Sequence, residues 1–117
     1  MSEGTLRHHT GRGSMDFDIV PGPPSQPAGT VDSFILTSGG FQDTIKFQSG
    51  VVNGDPNGLS TEALLEVCLI RLQTLNQGKF ECRNNFIAIE KIGHAIDALT
   101  DRTKERSDRG VLGTNEA

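Results

Sequence analysis

CRNNFIAIEKIGHAIDALTDRTKERSDR, residues 82–109, is the stretch whose reading decides the fold. Ile89, Ile92, Ile96, Leu99 and Thr103 advance through it in alternating steps of three and four. That rhythm is the seam of a helical hairpin or coiled-coil contact. Ala88, Gly93, Ala95 and Ala98 are small and allow another element to come close. Gly110 follows and ends the run. The spacing therefore predicts a long helix from about Cys82 to Arg109, laid along a neighbour.

The neighbour stands just upstream. Ser60 or Thr61 suits an N-cap, and Glu62 falls in the first turn, where the helix dipole favours an acid. Leu64, Cys68, Arg71/Leu72 and Leu75 recur at helical spacing, with Leu65, Val67 and Leu69 widening the apolar side. Gly78 stops this helix, and Lys79-Phe80-Glu81 makes a short corner into the next. Asn84-Asn85 offers a cap at the second helix's start, or an amide for a base edge or ribose.

Before the hairpin the period shortens to two. Val31 to Thr37 and Asp43 to Gln48 read as strands, with Ile45 and Phe47 on one face and Thr44, Lys46 and Gln48 on the other. Ser38-Gly39-Gly40 between them favours a hairpin turn. Val51 to Gly58 is dense in turn residues and reads as a loop. Residues 1–30, rich in Gly and with Pro21, Pro23, Pro24 and Pro27, read as a flexible leader to which Phe17, Ile19 and Val20 add at most one edge strand. The expected fold is α+β: a small N-terminal antiparallel sheet followed by a long two-helix hairpin, residues 31–117 forming one domain.

Composition narrows the function. A net charge of −4 argues against a nucleic-acid polymer as partner, since phosphate contacts need a basic footprint. No apolar run approaches the roughly 18 residues of a membrane span. With 34% hydrophobic residues in 117, a lone chain is short of core, and homo-oligomerisation is the expected remedy. Cys68 and Cys82 sit in helical segments without a signal-like N-terminus and read as reduced, buried small hydrophobes. The expected compartment is the cytoplasm.

The chemistry points to binding. Arg102, Arg106 and Arg109 follow i, i+4, i+7 spacing and form one stripe, beside Asp101, Glu105 and Asp108. Guanidinium forks on one stripe suit phosphate oxygens; mixed charges near a helix end also simply solvate it. No catalytic-triad or P-loop pattern is present, His94 is isolated, and His8-His9 lacks further ligands at metal spacing. Neither a catalytic residue, a metal nor a cofactor is expected.

Several segments then resemble a known family. Asn53-Gly54, Glu62-Ala-Leu-Leu65, Arg71-Leu72, Gln77-Gly78, Phe80, Cys82-Arg-Asn-Asn85, Arg102-Thr103, Arg106 and Arg109-Gly-Val-Leu-Gly-Thr114 are similar to the first-described phage Thoeris anti-defence family. The hairpin and its closing Arg-Gly-Val-x-Gly-Thr also resemble the phage anti-CBASS cyclic-nucleotide sponge. The resemblance runs from about Asp43 to Ala117. It implies a phage protein acting in the host bacterial cytoplasm, which traps glycocyclic ADP-ribose, and cyclic di- or trinucleotides, without degrading them. It implies ligand sites between protomers of a dimer, or of a hexamer built as a trimer of dimers. Residue by residue, it places Arg102 and Arg106 on the pyrophosphate and Asn85 on the nucleoside. Leu75 stands where some relatives have an aromatic ring, with Phe80 or Phe86 as the substitute. Arg109, Gly110, Gly113 and Thr114 match the tail motif of the trinucleotide site. On the residues alone, a nucleotide-signal phosphodiesterase and a structural helical-hairpin module remain the alternatives.

Overall fold

The computed structural model describes residues 8–9, 17–25, 29–52 and 54–110. The chain divides after Leu59 into two compact units, Met1–Leu59 and Ser60–Ala117. Sheet and hairpin, expected to share the domain 31–117, fall on either side of that division.

The first unit is an antiparallel sheet of four strands in sequential order: β1 (His8–His9), β2 (Asp18–Pro21), β3 (Ser33–Ser38) and β4 (Phe41–Lys46). The stretch read as a leader thus supplies two strands. Its Ile19 and Val20 find ladder partners in Leu36 and Ile35, and β1 pairs on the other side, so β2 is not an edge. Gly39 and Gly40 form the two-residue turn between β3 and β4, and Gly39 takes a φ of 58° that a side chain would resist.

Register sorts the sheet's faces. Pro21, Phe34 and Ile45 stand opposite one another, as do Ile19, Leu36 and Asp43. Two edge-to-face ring pairs lie on this side, Phe17–Phe41 at 5.7 Å and Phe34–Phe47 at 5.9 Å. Thr44 and Lys46 fall on the other face, as the alternation predicts. Around the sheet's end, Ser25 Oγ donates to Asp32 Oδ2 at 2.6 Å and Thr30 Oγ1 donates to Asp32 Oδ1 at 3.0 Å. The Ser25 bond, with help from Thr30 and Ser49, holds the Asp32 carboxyl below its ordinary value against a small opposing effect of burial.

The second unit is the hairpin: α1 (Thr61–Leu75), a 3-10 turn (Gly78–Phe80) and α2 (Arg83–Asp108). Ser60 caps α1, its Oγ accepting from Ala63 N at 3.0 Å. The partly covered residues of α2 run Asn85, Ile89, Ile92, Ile96, Leu99, Thr103, and the progression closes on buried Arg106. Those of α1 include Glu62, Leu65, Leu69 and Leu72, and the line closes on buried Asn76. Thr103 Oγ1 donates to Glu62 Oε2 at 3.4 Å, which sets the two seams antiparallel.

Two expectations are corrected here. The face of α1 turned to α2 is phased on Leu65, Leu69 and Leu72, so Cys68, Arg71 and Leu75 are exposed. Cys68 and Cys82 are free and exposed rather than buried. In α1 the cause is that apolar residues stand on most of its circumference and the polar Glu62, Glu66 and Gln73 lie beside the seam rather than opposite it, so hydrophobic contrast does not fix its phase. Among the described residues Pro21 is buried, but no larger aliphatic or aromatic side chain is. Val67 is 61% exposed and Ile70 51%, and with Ala63 and Thr74 they form a second stripe at the same three-four spacing.

Candidate functional site

The seam is apolar in its middle and polar at both ends, and the candidate residues gather at those ends. At the corner, Leu75 closes α1, Phe80 closes the 3-10 turn and Asn85 lies in the first turn of α2. Asn85 Nδ2 donates to the Phe80 carbonyl at 3.0 Å, so the amide is oriented by the corner's own backbone. It does not cap α2, whose cap position is Cys82 without a side-chain bond. Phe80 is 57% exposed, with the Lys79 ammonium 5.2 Å from its ring centroid. Phe86, next to Asn85 in sequence, is 53% exposed. Phe80 and Asn85 are therefore brought together, and Leu75 ends the helix that leads into the same corner.

The arginines lie at the opposite end. At 1.5 Å per residue, Arg102 is about 25 Å along α2 from Asn85. The expected surface stripe is graded. Arg106 is 8% exposed, Arg102 is exposed, and Arg109 is exposed with its guanidinium 3.0 Å from Glu105 Oε1. Helical rotation explains this: Arg106 stands within about 20° of Leu99, inside the seam, while Arg102 and Arg109 are about 60–80° away at its rim. Arg106 is already engaged within the fold. Thr103, one turn before it, shares its one hydroxyl proton between Leu99 O at 3.1 Å and Glu62 Oε2 at 3.4 Å.

Gly110 follows Arg109 with a φ of 76°, the left-handed turn expected at a helix end. Gly113 and Thr114 lie outside the described residues.

Sequence reasoning missed Asn76. It reads as a turn residue before Gln77-Gly78, yet it is one of two buried polar residues among those described, the other being Arg106. Its Oδ1 accepts from Cys82 N at 3.0 Å and so ties the end of α1 to the entry of α2. The seam spacing, continued one step past Leu72, is the signal that finds it.

The sheet unit has a shallow pocket of about 270 Å³ lined by Ser25, Asp32, Lys46 and Phe47 among others. Its carboxylate is taken up by Ser25 and Thr30, which makes it a brace for the loop. Among the described residues no group of three or more His, Cys, Asp or Glu is placed to hold a metal ion, and no helix is long and apolar enough to cross a membrane.

These features define a small α+β protein whose antiparallel hairpin displays amides and rings at one end and arginines at the other. No protein-family model matches the chain. Over 74 residues it is 42% identical to Thoeris anti-defense 1 of Bacillus phage SBSphiJ7, a match covering 62% of this chain and 52% of that protein. The chain thus spans about half the length of this curated relative, and the identity supports membership in its family.

Proposed function

We propose that this protein is a phage anti-defence protein that binds and sequesters cyclic nucleotide immune signals, foremost glycocyclic ADP-ribose, without degrading them. Free signal falls by mass action, and the Thoeris effector is left unactivated in the host cytoplasm. CBASS effectors, fed by cyclic di- or trinucleotides, are a second target. No chemical step is needed if the complex is tight and slow to dissociate.

The observation that carries this reading is the separation of the two ends of the hairpin. Asn85 and Arg102, about 25 Å apart along one helix, do not converge on one small ligand within a chain. The corner of one protomer set against the arginine end of another would bring them together. Arg102 then reaches the pyrophosphate from the rim, and Arg106 adds N–H donors from the seam. The α1 stripe of Ala63, Val67, Ile70 and Thr74 supplies apolar surface for such pairing. We take the assembly to be a dimer, or a hexamer as a trimer of dimers, with Arg109, Gly110, Gly113 and Thr114 forming the trinucleotide site. Similarity to a named Thoeris anti-defence protein supports the biological role.

Native mass spectrometry with glycocyclic ADP-ribose, a cyclic dinucleotide and a cyclic trinucleotide tests the proposal. An oligomer carrying one ligand per interprotomer site is expected. A monomer that binds none of the three would overturn it.

A further inference from the structure

The corner holds a polar group that the hairpin leaves unfinished. Asn76 is 8% exposed, its backbone N–H donates to Leu72 O at 2.8 Å, and its Oδ1 accepts from Cys82 N. Because only the amide oxygen can accept, that bond fixes the side chain's orientation. Nδ2 is left facing away from Cys82 and meets no acceptor among the described residues. Native proteins seldom leave a buried donor unpaired, because the water it has lost is not replaced.

Asn85 is oriented in the opposite sense. Its Nδ2 is spent on the Phe80 carbonyl, so Oδ1 is the atom it offers. The two corner amides thus leave one donor, Asn76 Nδ2, and one acceptor, Asn85 Oδ1, and the Phe80 whose carbonyl holds Asn85 and the Phe86 that follows it in sequence are both exposed. Such a set matches a planar heterocycle that carries a donor beside an acceptor.

We propose that Asn76 is a ligand-binding residue, and that with Asn85 it selects the amino-bearing edge of a purine. Asn76 Nδ2 donates to a ring nitrogen, and Asn85 Oδ1 accepts from the exocyclic amine. Adenine offers that pair of groups, N6 beside N1 or N7. Hypoxanthine puts a carbonyl at the same position, facing the Asn85 oxygen with a second acceptor. This selectivity rests on the sequestration reading above, whose ligands carry a nucleobase.

The test is isothermal titration of the full-length protein with glycocyclic ADP-ribose and with its hypoxanthine counterpart. Wild type is expected to bind the adenine form at least tenfold more tightly. Asn76→Asp keeps the acceptor for Cys82 N–H and removes the donor. It is expected to lose at least tenfold in affinity for the adenine form at unchanged native mass. Equal wild-type affinity for the two forms would overturn the selectivity and leave sequestration standing. Full adenine affinity in Asn76→Asp, or a loss traced to altered native mass, would likewise overturn the role of Asn76 alone. Failure of wild type to bind either form would overturn sequestration, and this inference with it. The wild-type comparison needs no variant, so the inference stays testable if Asn76→Asp does not fold.

Discussion

Thr103 Oγ1 on α2 donates to Glu62 Oε2 on α1 at 3.4 Å, across 41 residues of chain. The bond closes the open end of the hairpin, one turn from buried Arg106. Replacing Thr103 by Val keeps the shape and removes the hydroxyl. It is expected to cost about 0.5–1.5 kcal/mol in urea unfolding. Thr74, whose hydroxyl donates to Arg71 O on the exposed side of α1, is the control, and Thr74→Val should cost less.

The start of α1 depends on Ser60. Ser60→Ala removes the acceptor for Ala63 N–H and should lower stability by about 1 kcal/mol, while Ser60→Asp should retain most of it. Thermal melts followed by circular dichroism at 222 nm read both, a wavelength chosen for helix content.

How much of this was visible in the sequence differs from element to element. The α2 seam was plain because Ile89, Ile92, Ile96 and Leu99 are set among Glu90, Lys91, Asp97 and Asp101, so polar residues fix its phase. In α1, Leu64, Leu65, Val67, Leu69, Ile70 and Leu72 spread round the helix and Glu62, Glu66 and Gln73 lie beside the seam, so the pattern does not tell the Cys68 side from the packed one. Strand β2 is faint in the sequence because Pro21 and Gly22 read as breakers, while its pairing with β3 is a contact between separated segments. Arg106 read as a surface charge because charge usually means solvent. Only the seam spacing, carried past Thr103, places it inside. Asn76 was hidden likewise, since turn composition says nothing about burial.

The second stripe on α1 gives a prediction about assembly. Val67→Glu with Ile70→Lys places charges on surface that is already exposed in one chain, so the isolated hairpin should lose little. If that face pairs protomers, light scattering should show wild type as a dimer or hexamer and the double variant as a smaller species. Equal masses for the two would remove the stripe from the interface.

Asp32 ties stability weakly to pH. Its carboxyl titrates below the ordinary value in the folded chain, chiefly through the Ser25 hydroxyl, so the folded state takes up the proton less readily than the unfolded chain. The contribution is therefore complete above the ordinary value of 3.8 and is lost as pH falls through the lower folded one. Solvent screening keeps it below about 1 kcal/mol. Asp32→Asn should be slightly less stable than wild type at pH 7, and the difference should narrow as pH falls below 3.8 in denaturant melts.

The graded arginines separate binding from stability. Arg102→Ala, at the rim, should weaken ligand binding at least tenfold with little change in melting temperature. Arg106→Ala should lose both, because it empties a buried position on the seam. Titration and thermal melting on the same samples distinguish the two patterns; a matched loss of stability in Arg102→Ala would contradict the assignment.

Capture without chemistry is tested most directly by mixing the protein with glycocyclic ADP-ribose, filtering, and heating the retained protein to release what it holds. The account predicts that the filtrate is depleted and that unaltered ligand is recovered by chromatography, one equivalent per interprotomer site. A cleaved nucleotide in the heated fraction, or a filtrate as rich in ligand as a protein-free control, would contradict it.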